Sequence, residues 1–244
     1  VEQHLNPLID AVFNSIRAAL RPTELSLAQA ELYITQLSVF ARYNSQFLFR
    51  AAQSTESSCF ELAHELRRNH LEEGGERGRL PAHYVLYTSA LLNDLGIFVN
   101  GAIPVEETQT LLLLHDLLVE SHSLGRICGG YYATEAVAIA ETLLLQDITN
   151  RYGDVAYGRS GKSLSELAYY YDLHLDENHV YATGGMSVEA SHAEGIGRFI
   201  RQCSTFGIDL ADATDGFLQI LEGMSHWWSS LIVRAAQIDS VEAN

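Results

Sequence analysis

Apolar residues recur at helical spacing along most of the chain. The first segment, residues 5–20, places its apolar side chains on one stripe: Leu8, Ile9, Val12, Phe13, Ile16 and Leu20. Such a stripe predicts an amphipathic helix that packs against a core. The pair Arg21-Pro22 ends the pattern, because the residue before a proline disfavours the helical conformation.

Turn and capping residues divide the rest of the chain into further predicted helices. Ser26, with Gln29 three residues on, forms a capping-box pattern that opens a long helix running to about residue 52. The next helices are predicted over about 57–71, 81–98, from 104, 124–152, from 163, from 187 and from 209. Strand patterns are nearly absent, and no proline follows Pro104. The pattern therefore predicts a single all-α domain over residues 1–244, a bundle of seven to nine helices.

The charge of the chain narrows the class of protein. The formal net charge is −16 at pH 7, so we expect no nucleic-acid partner, since phosphate contacts need basic patches.

No apolar stretch is long enough to predict a membrane span. The three cysteines, Cys59, Cys128 and Cys203, are widely spaced and form no CxxC pair. This spacing favours a reduced, cytoplasmic protein over a disulfide framework.

Carboxylates and histidines stand among the apolar positions of several predicted helices. They are Glu72, Glu73, His83, Glu135, His174, Asp176, His179, Glu189 and His192. Oxygen ligands mixed with imidazoles suit a non-heme iron or manganese site, and burying these groups without a metal would be costly. The spacing D/E-x-x-H, which puts two ligands on one helix face, occurs at Glu61–His64, Asp176–His179 and Glu189–His192. A single pair of this kind is also common on a solvated helix face.

Glu135 is the most informative single position. It lies in the segment Gly-Gly-Tyr-Tyr-Ala-Thr-Glu-Ala-Val-Ala of residues 129–138, where its neighbours are small or apolar. If it faces inward it must be neutralised, paired or metal-bound; if it faces solvent it needs no partner, and Glu141 competes for the same role. His83 is equally compatible with two roles, that of a metal ligand and that of a hydrogen-bonded histidine in the core.

Taken in order, these residues resemble a known helical family. The resemblance is carried by Asn-His-Leu-Glu-Glu-Gly at 69–74 followed by His83, Gly-Tyr-Tyr-Ala-Thr-Glu at 130–135, and Tyr-Tyr-Tyr-Asp-Leu-His-Leu-Asp-Glu-Asn-His at 169–179. These segments are similar to the heme-oxygenase-like fold and, within it, to the heme-oxygenase-like diiron oxidases, which include the CADD proteins. The resemblance covers about residues 25–228.

The resemblance implies the first half of a metal site. In that family a Glu and a following His on consecutive helices, together with a central Glu, bind the metal, and Glu73, His83 and Glu135 fill these places. Two iron ions are implied, with a single ion or manganese as alternatives. Heme is not expected, since no segment supplies a proximal-histidine helix.

The last motif of the family, a helix with His-x3-Asp/Glu-x2-His, departs from its pattern in this chain. Asp176 and His179 match its end, but an aspartate stands where the leading histidine is expected, and His174 lies two residues away. Glu189 and His192 are the alternative pair, with a glycine at the leading position. In that case the segment between the two pairs is an insertion.

The resemblance also implies a function. It predicts a homodimeric enzyme that activates O2 with electrons from outside and oxidises a small organic substrate or the protein itself. Three alternatives stay open. They are a metal-free enzyme of the same fold with His and Glu in acid–base roles, like the thiamin-degrading or quinone-cofactor-forming enzymes, a ferritin-like metal-storage protein, and a partner-binding helical scaffold.

Overall fold

Nine α-helices make up most of the described chain and confirm the all-α prediction. The computed structural model describes residues 2–74, 82–158, 163–179 and 185–242, and these contain no β-strand. The helices are α1 Glu2–Leu20, α2 Leu27–Thr55, α3 Phe60–Gly74, α4 His83–Ala90, α5 Glu106–Glu120, α6 Leu124–Tyr157, α7 Ser165–Leu175, α8 Val188–Arg201 and α9 Leu210–Glu242. None of the helices in these ranges has the length and apolar character needed to cross a lipid bilayer.

Local sequence signals place two helix starts correctly. Helix α2 begins with the predicted capping box, in which Ser26 Oγ accepts the N–H of Gln29 and the Gln29 side chain accepts the N–H of Ser26. Ser187 caps α8 by accepting the N–H of Ala190. Both caps satisfy donors that a helix leaves free in its first turn.

The fourth helix is shorter than the predicted segment 81–98. Its predicted opening residue, Pro81, lies outside the described residues. Helix α4 begins at His83, continues from Leu91 to Leu95 as a wider π-helical turn, and ends at Gly96, which has a φ of 74°. Glycine ends the helix here because it adopts this left-handed conformation without steric cost.

The start of α7, which was predicted from residue 163, is capped from a distant part of the chain, and its N-cap residue Leu164 makes no side-chain cap hydrogen bond. Asp94 Oδ2 accepts the backbone N–H groups of Glu166 and Leu167, each at 2.8 Å. Asp94 is buried and belongs to the π-helical turn that follows α4. The end of α4 therefore fixes the first turn of α7 through a charge-assisted cap.

Helix α6 is the central element of the bundle, and α9 packs against it with almost no space between the backbones. A Cβ atom added at Gly129 would lie 1.7 Å from the carbonyl oxygen of Ala213, and one added at Gly216 would lie 2.2 Å from that of Arg126. Only glycine allows this approach. Helix α6 also packs against α2, α7 and α8, and it carries the buried Glu135 among them.

We predict that Gly129→Ala lowers the free energy of unfolding by about 1–3 kcal/mol, since the added methyl group would meet backbone that cannot move aside. Urea unfolding followed by circular dichroism measures the loss. Gly153→Ala is the matched control on the same helix, because the nearest atom there is the flexible end of Leu164 at 3.1 Å. Equal losses in the two variants would contradict this account of the α6–α9 contact.

Candidate metal centre

Five helices bring six metal-ligating side chains together in the interior. They are Glu73 at the end of α3, His83 at the start of α4, Glu135 in the middle of α6, His174 in the last turn of α7, and Glu189 and His192 in α8. Glu73 is partly buried, and the exposed fraction of each of the other five is 6% or less. Glu73 lies in the last described turn of α3, and its carboxylate reaches His83 on the next helix.

Three short contacts join the first part of the cluster. His83 Nδ1 lies 3.1 Å from Glu73 Oε1. His192 Nδ1 lies 3.3 Å from Glu135 Oε2 and 3.7 Å from Glu73 Oε1. The carboxylates of α3 and α6 thus face the same imidazole of α8.

His174 and Glu189 complete the cluster from the other side. His174 Nε2 lies 3.8 Å from Glu189 Oε1, and the rings of His174 and His83 are 4.6 Å apart. His174 Nδ1 donates to the carbonyl oxygen of Tyr170 at 2.6 Å, which leaves Nε2 free to point at the cluster. A hydrogen bond of this kind selects the tautomer of a metal-binding histidine.

His192 contacts carboxylates from two other helices. Its Nε2 donates to Glu72 Oε2 at 2.6 Å. Burial lowers the pKa of His192, but the adjacent carboxylates of Glu135 and Glu72 outweigh burial and hold the pKa well above its usual value. Metal binding needs a neutral imidazole, so a metal would displace a proton from His192.

Burial and neighbouring charges favour the neutral form of two other members of the cluster, Glu189 and His174. Burial and the neighbouring Glu73 carboxylate raise the pKa of Glu189 well above its usual value. Burial and His83 lower the pKa of His174 to about 3. Crowded carboxylates and a neutral imidazole are the state expected of ligands that lack their cation.

The residues present fit a metal. One ligand atom from each of Glu135, Glu189 and His192 lies within 4.8 Å of the others. Glu135 Oε1 is buried and has no hydrogen-bond partner in the part of the chain that the structure describes. An unpaired carboxylate oxygen in an apolar interior is costly, and a bound cation removes that cost. Three carboxylates with three imidazoles suit iron or manganese.

The two alternative ligand pairs, Asp176/His179 and Glu189/His192, lie in different surroundings in the structure. Asp176 lies one residue beyond the end of α7, is exposed, and accepts from the N–H of Asn178. His179 lies further along this turn against the Tyr169 ring. Neither residue joins the cluster, because the i, i+3 spacing shares one face only while the helix continues. The cluster instead takes its last pair from α8.

His174 lies close to the pair Glu189/His192, although the residues belong to two different helices, α7 and α8. In the family pattern the leading histidine and the Asp/Glu-x2-His segment share one helix, whereas here His174 ends α7 and Glu189 begins α8. The insertion expected between the two pairs stays a prediction, since residues 180–184 lie outside the described ranges. The third D/E-x-x-H pair, Glu61–His64, is exposed on α3 and takes no part.

A cavity of about 90 Å³ adjoins the cluster, and two of its side chains, Asn44 and Tyr170, had no predicted role in the site. Its walls include Asn44, Tyr170 and Glu141 together with four members of the cluster. No local pattern marks Asn44, because its role depends on α2 packing against α6. A larger groove, about 670 Å³ between α5 and α9, contains none of the cluster residues, so the smaller cavity is the candidate substrate site.

Solved structures share the fold. Crystal structures of a CADD-like protein of unknown function from Nostoc punctiforme PCC 73102 at 1.35 and 2.00 Å are 24% identical to this chain. Their TM-scores are 0.74 and 0.77, over 96% of this chain and 94% and 96% of those chains. A domain of unknown function with a heme oxygenase-like fold from Shewanella denitrificans OS217 is 12% identical, with a TM-score of 0.72 over 100% of this chain and 95% of that chain. The chain is thus an all-helical protein of the heme-oxygenase-like fold.

The family follows from a match to the sequence itself. The model of the family described as a domain of unknown function with solved structure (DUF3865) matches residues 6–234. This match spans most of the chain, so the chain belongs to the DUF3865 family. The predicted resemblance to CADD-like proteins and the heme-oxygenase-like fold is confirmed. No curated protein matches the chain.

We predict that Glu189→Gln raises the unfolding free energy of the metal-free protein at pH 8 by about 1 kcal/mol or more. The unfolded chain ionises Glu189 near pH 4.3, whereas the folded chain holds the proton to higher pH. Stability is therefore present below the unfolded pKa and is lost as the pH rises towards the folded pKa. The amide does not titrate, so its advantage grows from pH 5 to pH 8.

Urea unfolding of chelator-treated protein at both pH values measures this difference. Glu177→Gln, which removes the same charge from an exposed position after α7, is the control and should change little. A Glu189→Gln protein that is less stable than the unmodified protein at pH 8 would show that crowding of the carboxylates does not destabilise the metal-free fold.

Proposed function

We propose that this chain is a non-heme diiron oxidase or oxygenase that activates O2 on a small organic substrate. The observation that carries the proposal is the gathering of three carboxylates and three imidazoles in one interior cluster, in which one carboxylate oxygen of Glu135 has no partner within the described part of the chain. Interiors retain such a set when it binds a cation. Membership of a CADD-like, heme-oxygenase-like family supports the assignment.

The chain itself would contribute binding, orientation and exclusion of water. The residues that would hold the metal are Glu73, His83, Glu135, His174, Glu189 and His192. When bound, a ferrous pair supplies the electrons that reduce O2, and an external reductant restores them. Glu72, which accepts from His192, and the Tyr170 carbonyl, which accepts from His174, orient two of the ligands. Leu37 and Phe40 line the adjoining cavity with apolar surface that limits the entry of water.

A metal-free acid–base enzyme of the same fold is the second candidate. The Glu73–His83 hydrogen bond of 3.1 Å, which opens towards a cavity, is the arrangement of a general base and its orienting carboxylate. The presence of Glu135 and Glu189 makes this candidate the weaker one. Acid–base chemistry by Glu73 and His83 does not require two further buried carboxylates beside them. Metal content distinguishes the two candidates.

We predict that the purified chain binds two ferrous ions per molecule when it is loaded without oxygen and then desalted. Glu135→Ala and His192→Ala should each lose at least one ion, because each removes a ligand from the cluster. Asp176→Ala and His179→Ala are matched controls and should keep both ions, since those side chains lie outside the cluster. Iron analysis by mass spectrometry, with Mössbauer spectra, gives the measurement.

Three outcomes would overturn the proposal. The absence of specific iron uptake would leave the acid–base enzyme. Loss of iron in the Asp176→Ala and His179→Ala proteins, with retention in Glu135→Ala, would place the metal elsewhere. Rapid O2 consumption without organic substrate, with growth of a ferric mineral core, would indicate a storage protein.

A further inference from the structure

Glu141 is a buried carboxylate of the cavity wall that does not belong to the metal cluster. It lies on the same face of α6 as Glu135, and this face forms one side of the cavity through Thr134, Glu135, Ala138, Glu141, Thr142 and Leu145. The facing wall is formed by α2 and is mainly apolar. A substrate in the cavity would therefore contact both Glu141 and members of the cluster.

The charge of Glu141 has no cationic counterpart among the residues that the structure describes. Its exposed fraction is 7%, and Oε1 accepts from Trp228 Nε1 at 2.7 Å. In the described chain no Arg, Lys or His forms an ion pair with it. Burial raises the pKa of Glu141 to about 7, despite the indole hydrogen bond. A buried carboxylate without a cation is costly, so its retention beside a cavity points to a positive group brought by a ligand.

Asn44 supplies a second acceptor in the same cavity. Its Oδ1 atom is buried and has no hydrogen-bond partner among the residues that the structure describes. Asn44 lies on α2, opposite the face of α6 that carries Glu141. A ligand group that only donates hydrogen bonds would satisfy the amide oxygen and the carboxylate together. An alkylammonium group has three donors and no acceptor.

We propose that Glu141 binds the protonated amino group of the substrate, so that the substrate is a small primary amine. This proposal rests on the function proposed above, because it gives the substrate of the same site. The apolar side chains Leu37, Phe40 and Leu145 take the aliphatic part. A cavity of about 90 Å³ admits only a short chain. In the metal-free protein a carboxylate ligand is disfavoured, since its charge would lie beside Glu141 and the three carboxylates of the cluster.

Trp228 provides a direct readout, because its indole N–H donates to Glu141. The experiment uses the full chain, labelled with ¹⁵N and freed of metal, at pH 8, and follows the indole N–H signals by NMR. Trp227→Phe assigns the two signals. The probes are n-butylammonium chloride, n-butanol and sodium butyrate, which share a chain length and differ in charge. The amine remains protonated at this pH, as lysine does.

We expect n-butylammonium to shift the Trp228 signal to saturation, whereas n-butanol and butyrate do not. Glu141→Gln should weaken amine binding at least about tenfold, because it removes the charge from the contact. The glutamine keeps an oxygen that can accept from Trp228, so the packing of the indole is retained. Glu194→Gln removes a charge from an exposed position of α8 and should leave binding unchanged.

Equal binding of amine and alcohol, equal amine binding by Glu141→Gln and the unmodified protein, or no amine-dependent shift at up to about 50 mM would each overturn the assignment of Glu141. No iron is present in this experiment, so the result does not depend on iron uptake. A protein that binds two irons but no amine would retain the proposed function and lose the proposed substrate class. A protein that binds amine but no iron would lose the proposed function and retain the amine site at Glu141.

Discussion

The burial of ionisable groups between helices is the constraint on which the rest of this structure depends. Six side chains that each prefer water or a cation are held in an interior built from apolar stripes. His192, as an imidazolium between Glu72 and Glu135, compensates part of the negative charge. The compensation is incomplete, because one oxygen of Glu135 has no hydrogen-bond partner among the described residues. The fold therefore tolerates an electrostatic cost at the place where a metal would remove it.

The helices that carry the cluster are fixed by contacts some distance from it. The backbones of α6 and α9 meet at Gly129 and Gly216, which sets the position of the helix bearing Glu135. Asp94, after α4, caps the first turn of α7, which ends at His174. The helix of His83 is thus coupled to the helix of His174, and their rings meet in the cluster. Precise placement of ligands from five helices requires this kind of rigid support.

Local patterns predicted the parts of the fold and site that depend on neighbours in sequence. The apolar stripes gave the all-α class, and the Ser26 and Ser187 caps gave helix starts. Glu73, His83 and Glu135 were predicted as ligands because two of them lie in continuous motifs and His83 follows the first of these motifs. Helical spacing also favoured Asp176 and His179, which lie beyond the end of α7. Whether a helix continues to such a pair depends on tertiary contacts, which spacing alone does not contain.

The most direct test of the account is the position of bound metal. Crystals grown without oxygen in the presence of Fe(II) would be measured at the iron absorption edge. The account predicts two anomalous peaks among Glu73, His83, Glu135, His174, Glu189 and His192, with the His192–Glu135 contact of 3.3 Å opened to admit the ions. Peaks beside Asp176 and His179, or no peak inside the bundle, would contradict it.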